Sequence, residues 1–326
     1  FKSNVKHLPR RKKQMMNHKK YFLYLSFFIS LTFSDDLDIK PIIFTLHSSN
    51  GSDWVYEKTS ITSFAAGLSF KYQNPTWSVL IDYLQLGFLG EINHSLYSFS
   101  SIKSLPYLDR SKDADGNWSD YIKTKFVYKL KSAEIHLGIF DRNIGQGINS
   151  IYISKKSPSY PQFGFDWQIV KNLKFIYFHG FLNSGINDSS RSKFYENKIS
   201  QRMIDVPRNI AFHRIEWKPT NNLLLGLNES VIYSVRNLDL HYLIPIAPFY
   251  PIENYLGDTD NIQMGFDLLY IFKHSQRIYI GFFMDELTPE WIFSSKNHNW
   301  FAYQLGYRID DLIFQNSSFI IEYNWT

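Results

Sequence analysis

Residues 121–140 read YIKTKFVYKLKSAEIHLGIF. In the first half the even positions, Ile122, Thr124, Phe126, Tyr128 and Leu130, are mostly apolar, and the odd positions include Lys123, Lys125 and Lys129. After Lys131-Ser132 the alternation resumes, with Ala133, Ile135, Leu137 and Ile139 set against Glu134, His136 and Gly138. Period two is the spacing of a strand whose two faces meet different surroundings. Two such runs separated by two residues predict an antiparallel hairpin.

The same pattern recurs along the chain. ITSFAAGLSFKY (61–72) sets Phe64, Ala66, Leu68, Phe70 and Tyr72 against Ser63, Ala65, Gly67, Ser69 and Lys71. NLLLGLNESVIY (222–233) puts Leu223, Leu225, Leu227, Val231 and Tyr233 on one face, with Asn222, Gly226, Asn228 and Ser230 on the other. About thirteen strands follow from this reading, the last of them near 317–324. Tight connections at 131–132, 170–172, 219–221 and 274–276 alternate with long ones at 89–120, 141–162, 183–208 and 234–259. Strands of about ten residues, short turns at one end and long loops at the other are the signature of a bacterial outer-membrane β-barrel. A soluble sandwich or propeller also alternates, but no blade repeat appears, and strands this long with so aromatic an outer face suit a sandwich poorly. The expected fold is an all-β transmembrane antiparallel barrel of roughly 14–18 strands if complete. The odd count, ending at Thr326, suggests either that C-terminal strands are missing or that the boundaries are off by one strand.

Composition points the same way. Aromatic residues make up 18 % of the chain, more than a soluble core needs, and Tyr and Trp gather at membrane interfaces. With no cysteine, disulfides and thiolate metal sites are excluded. Lys2, Lys6, Arg10, Arg11, Lys12, Lys13, Lys19 and Lys20 all precede residue 35, and without them the formal net charge falls from +5 to −3. Nucleic-acid binding therefore loses its support, because phosphate contacts need basic residues on the folded domain. MNHKKYFLYLSFFISLTFS (16–34) has a charged start, a 13-residue apolar stretch at 21–33 and small residues before Asp35-Asp36. It reads as a signal peptide cleaved near Ser34. The expected division is 1–15 as upstream or fragment-edge sequence, 16–34 as signal peptide and 35–326 as a single barrel domain.

Five stretches in order resemble the Wzi-like capsule-assembly outer-membrane family. They are LGIFDRNIGQGINSIYISKKSP, RNIAFHRIEWKPTNNLLLGLNESVIY, LIPIAPFY, DNIQMGFDLLYIF and RIYIGFFMDEL, and they lie within residues 135–326. The resemblance implies a barrel lectin, not an enzyme, that organises capsular or extracellular polysaccharide at the surface of a Gram-negative cell. It also implies a barrel that continues past the strand containing IIEYNW. Its motif residues here are Arg142, Arg214, Glu216, Glu229, Asp267, Asp285 and Glu286. The implied partners are outer-membrane lipid and polysaccharide, and no cofactor or metal is expected.

Read one by one, most of these residues fall on the polar face of their strands. Charges of mixed sign across a lumen can brace a barrel or line a pore. Asp285 and Glu286 are neighbours on a strand and point to opposite faces, so they cannot form the carboxylate pair of a glycosidase. Glu229 and His213 fall on the apolar face. For Glu229 this requires a bulge, a rim position or a different register, and His213 suits an interface better than a metal site. FDRNIGQG (140–147) reads as an irregular segment folded into the lumen, and DADGNWSD (113–120) as an acidic turn without the closing Glu of a calcium loop. Polysaccharide contacts are expected on the long loops, through Tyr107, Trp118, Tyr242, Tyr250 and Tyr255, whose rings suit sugar faces. Two other functions remain open. A diffusion porin would conduct in steady steps, and an outer-membrane hydrolase would lose its activity when one acid is replaced.

Overall fold

The structure, a computed structural model, describes residues 25–26, 31–34, 36–50, 59–90, 117–155, 157–191, 193–194, 201–202, 204–236, 238–273, 276–286, 300–312 and 314–326. Thirteen long strands run through it in chain order. The first seven are β1 (Leu37–Asn50), β2 (Thr59–Gln73), β3 (Trp77–Gly90), β4 (Asn117–Lys129), β5 (Ala133–Phe140), β6 (Tyr160–Val170) and β7 (Leu173–Asn187). Then come β8 (Asp205–Thr220), β9 (Leu223–Ser234), β10 (Asn261–Phe272), β11 (Gln276–Asp285), β12 (Trp300–Asp310) and β13 (Ser318–Trp325). Each pairs antiparallel with the next, so sequence order is also sheet order. Leu25–Ser26 and Leu31–Ser34 lie along β1. The signal-peptide expectation falls otherwise on residues outside the described ones, as does Tyr107.

Register converts the alternation into two surfaces. Leu68 pairs with Tyr83, Phe126 with Leu137, Ile215 with Leu227, Leu227 with Phe266 and Ile280 with Leu305, and all of these side chains share the outward face. They are exposed, which apolar residues in water would not favour but a bilayer accepts. The opposite face carries Lys71, Lys125, Glu134, His136, Asp166, Arg214, Glu216, Asn228, Asp267 and Gln304. Near the loop ends of β1–β4 it becomes apolar, where Ala65, Leu84, Leu86 and Tyr121 pack with Ile42 and Phe44. The sheet curves around this face, because the single connection between β5 and β6 touches the same side of β7, β10, β12 and β13. Strands of 8 to 16 residues, an apolar outside and a polar inside make this the wall of an outer-membrane β-barrel. No helix among the described residues is long and apolar enough to cross a membrane, which says nothing of a barrel.

Leu227 stands 60 % exposed on the outward face, fifth in the twelve residues of β9. Leu227→Arg will cost about 2–4 kcal/mol, the range for a cation near the bilayer midplane. Unfolding in denaturant from lipid vesicles checks this, and a cost near zero would place Leu227 in water.

Candidate functional site

The inward face is crossed by residues 141–159, which leave β5 and return to β6. Ile144 and Ile153 bridge to one another, giving the segment a narrow hairpin-like neck. At the neck Ile144 packs with Phe178 of β7 and Ile210 and Phe212 of β8. Its tip reaches the last strands. The Ile148 and Asn149 N–H groups donate to the Glu322 carboxylate at 2.8 and 3.1 Å. Gln304 Nε2 donates to the Asn149 carbonyl at 2.8 Å. The Tyr152 hydroxyl donates to the Phe266 carbonyl at 2.6 Å, and burial pushes its pKa above the ordinary tyrosine range. Gly265 leaves the space for that ring, since a Cβ there would lie 2.3 Å from Tyr152.

A buried polar network stands beneath the segment. Arg214 of β8 is fully buried and its guanidinium reaches Asp267 of β10, with Nη2 to Oδ1 at 2.9 Å. It also donates to Asn228 at 2.7 Å and to Glu216 at 2.9 Å. Asp267 and Glu216 lie two strands apart, each opposite Gly226 of β9. The guanidinium occupies the place where a side chain at 226 would stand, and a Cβ there would lie 2.0 Å from Nη2. Gln146 links the inward segment to the same Asp267 at 3.4 Å.

At the root of the segment the charge is biased positive. Arg142 lies over the rings of Phe178 and Phe140, at 4.4 and 5.1 Å from the centroids, and donates to Gln162. Burial draws its pKa below the ordinary guanidinium value. Asp166 receives Lys174 at 2.6 Å and His136 at 3.3 Å. Lys125 stands over the Phe140 ring at 4.9 Å, and Lys123 pairs with Asp141.

Thus Arg142, Arg214, Glu216 and Asp267 gather on the inward face. Asp285 lies on the same face of β11 opposite Gln263 and Trp300. Glu286 follows it, exposed, in a left-handed turn with φ 56°. Trp118 is part of β4 opposite Gly87. The acidic stretch 113–120 lies mostly outside the described residues.

Two readings need correction. Glu229 is not a lumen residue, and neither a bulge nor a rim explains it. It faces outward beneath a segment of the protein itself. Where a long extracellular loop was expected at 234–259, residues 235–260 fold back over the outside of β7–β10. A 3-10 turn at Leu240–Leu243 is followed by helix α1 (Phe249–Leu256). Tyr242 and Phe249 are buried against Tyr177, Ala211, Val231, Tyr233 and Ile262 of the wall. Tyr242 therefore cannot face a solute, Tyr250 packs against the same cluster, and only Tyr255 stands exposed. Glu229 accepts the N–H groups of Phe249 and Tyr250 at 2.8 and 2.7 Å, so it caps the start of α1. It also receives His213 Nε2 at 2.8 Å, while His213 Nδ1 lies 3.1 Å from the Pro245 carbonyl. The two polar residues that broke the outward pattern are the pair that fastens this apron. Sequence reasoning did not see the fastening, although LIPIAPFYP, with apolar residues between prolines, was its available signal.

Glu229→Ala will loosen the apron by about 2 kcal/mol, the upper range for a lost helix cap. Faster amide exchange at residues 249–252, with β9 and β10 still protected, is the expected readout. Glu229→Gln, which keeps an acceptor, will lose less.

No family model matches the chain, and no curated protein does. Among solved structures it is similar to Pseudomonas aeruginosa OccK9 (OpdG), with 12% identity, a TM-score of 0.39, and 89% of this chain and 81% of that one covered. It is also similar to P. aeruginosa OpdK solved with vanillate, at 11% identity and a TM-score of 0.39, covering 90% and 83%. A BenF-like porin from Pseudomonas fluorescens Pf-5 gives 11%, 0.36, 89% and 81%. These similar structures include a porin and no capsule-assembly protein, so the capsule-assembly resemblance is corrected, and the polysaccharide-organising function that it implied is withdrawn with it. At such low identity and TM-score they carry nothing further for this chain. The barrel rests on the wall geometry above.

Proposed function

We propose that this protein is a diffusion channel of the outer membrane, not an enzyme, and that residues 141–159 narrow its bore. The observation that carries this reading is the inward segment itself. It is rooted beside β5 and β6 and hydrogen-bonded at its tip to β12 and β13, across a polar inward face. A segment whose function is only to fill a core would bury apolar side chains throughout. This one meets polar groups at both ends, with Arg142 at its root and Glu322 and Gln304 at its tip. Polar linings keep water, and water-filled barrels conduct. The solutes that fit are small hydrophilic molecules. The biased root, with Arg142, Lys125 and Lys174 near Asp166, favours anions over cations.

Planar-bilayer recording of the purified protein tests the proposal. Steady unitary steps are expected, with a reversal potential in a salt gradient that shows anion preference. A barrel that inserts and stays silent would refute the channel. Cation preference would refute the charge argument alone. The same preparation tests the processing expectation: the mature chain should begin near Asp35 after signal-peptide cleavage. N-terminal sequencing that finds Lys19 and Lys20 retained would reject it.

A further inference from the structure

We infer that residues 235–260 form a lipid-embedded apron, in which Leu240, Ile244, Ile246 and Tyr255 meet acyl chains at the outer-leaflet boundary. The inference does not depend on whether the pore conducts. It rests first on depth. The Pro245 carbonyl is held by His213, which pairs in register with Tyr177 and Glu229. Glu229 is the seventh of the twelve residues of β9, so Ile244 and Ile246 lie beside the middle of the wall and not beyond its rim. The end of the sheet that carries the long connections is the extracellular end of such barrels, so the apron occupies the outer half of the bilayer.

Its polarity is inverted relative to a loop in water. Arg236 bridges Asp239 and Asp260, and the Tyr242 hydroxyl donates to Asp260 at 2.7 Å. Glu253 is buried, and burial lifts its carboxyl to about 6. The outward side instead presents Leu240, Ile244, Ile246 at 77 % exposure and Tyr255 at 82 %. Among the described residues of the segment, the exposed titratable side chains are Tyr255, His241, which pairs with Asp239 and lies beside the Tyr255 ring, and Asp258. Below the apron the outward surface continues into Ile215, Leu227 and Phe266, which face lipid.

Irregular backbone survives at membrane depth only when its polar groups are satisfied by protein. Here Pro245, Pro248 and Pro251 carry no N–H at all. The N–H of Asp239 donates to the Tyr233 hydroxyl, that of His241 to Asp239, that of Ala247 to the Ile244 carbonyl, and those of Phe249 and Tyr250 to Glu229. The Tyr242 carbonyl accepts from the Tyr177 hydroxyl at 2.9 Å. These backbone groups are thus satisfied by the wall or within the apron. The outward side is mostly side-chain carbon, with the Tyr255 hydroxyl and the exposed His241 and Asn254 as its polar groups, the arrangement of an interfacial membrane element.

The chain has no cysteine, so a single introduced thiol reports one position. Ile246→Cys would carry a nitroxide label in full-length protein reconstituted in phosphatidylcholine–phosphatidylglycerol vesicles. Leu227→Cys serves as the lipid reference, and Glu286→Cys, exposed just beyond the end of β11 and outside the apron, as the water reference. Collision with oxygen reports acyl surroundings, and collision with a water-soluble nickel chelate reports solvent. The expected result is oxygen accessibility at 246 matching that at 227, with nickel accessibility several-fold below that at 286. Nickel accessibility equal to that at 286 would overturn the inference in favour of a water-exposed loop. Low accessibility to both probes with spin–spin broadening, relieved by dilution with unlabelled protein, would assign the surface to a second copy. Low accessibility to both without broadening would assign it to other parts of the same chain. Ile246 is a surface side chain, so its replacement leaves the barrel intact, and heat-modifiable migration on gels verifies insertion.

Discussion

Arg214→Met will destabilise the barrel by about 3–5 kcal/mol, the cost of leaving one member of a buried ion pair alone. The partner is Asp267, only 1 % exposed, which would be left buried without its guanidinium partner. Asn228 and Glu216 would lose their donor at the same time. Desolvation is the reason for the size of the effect. In water the pair would contribute little, but on a packed inward face the unpaired carboxylate cannot be rehydrated without opening the wall. Arg214→Met/Asp267→Leu should recover much of the loss, because a buried pair replaced by apolar residues of similar size is often neutral. Gly226→Ala should move stability in the same direction as Arg214→Met, since its methyl would displace the guanidinium. Denaturant unfolding from vesicles, followed by tryptophan emission, measures all three. A single-variant cost below that of an exposed ion pair, about 1 kcal/mol, would mean that water reaches the network.

The strand pattern was legible because each strand repeats the same physical choice. Phe126 and Leu137 share a face with Ile122 and Ile135, and lipid on that face forces the choice at every second residue. Connections such as Lys131-Ser132 were equally plain, being too short for anything but a hairpin. The network around Arg214 was legible only in part. Arg214, Glu216 and Asp267 could be assigned to the polar face, but their convergence over Gly226 depends on the register of three strands, which periodicity does not give. The residues quoted for the capsule-assembly resemblance include Arg214, Glu216, Glu229 and Asp267. In the structure they brace the wall or fasten the apron. Bracing of that kind says nothing about what the barrel binds, which is why the motif pattern misdirected the functional reading. The apron was illegible for a different reason. A long connection between strands is equally compatible with water and with a return along the wall, and Glu229 and His213 on the apolar face were the residues that a return along the wall explains.

Glu322→Ala will widen the proposed channel. Glu322 holds the tip of the inward segment through two backbone N–H groups, and it accepts the Tyr279 hydroxyl at 2.7 Å. A hydrogen bond to a charged group contributes about 1.5–3 kcal/mol, so losing even ~2 kcal/mol shifts the balance between seated and released tip roughly 30-fold. The neck would stay in place, because Ile144 remains packed with Phe178, Ile210 and Phe212. The tip would instead swing within the bore, and the open state should show a larger unit conductance with more current noise. Adding Gln304→Ala removes the donor to the Asn149 carbonyl and should enlarge both effects. Anion preference should survive, because Arg142, Lys125 and Lys174 sit at the root and not at the tip. Single-channel recording in planar bilayers reads conductance, noise and selectivity from the same insertion events. Unchanged conductance in the double variant would show that the tip does not set the bore. Lost anion preference with unchanged conductance would show that the root cations do not set the selectivity. A larger step with selectivity intact would separate the two parts of the segment, with its tip setting the size limit and its root the charge preference.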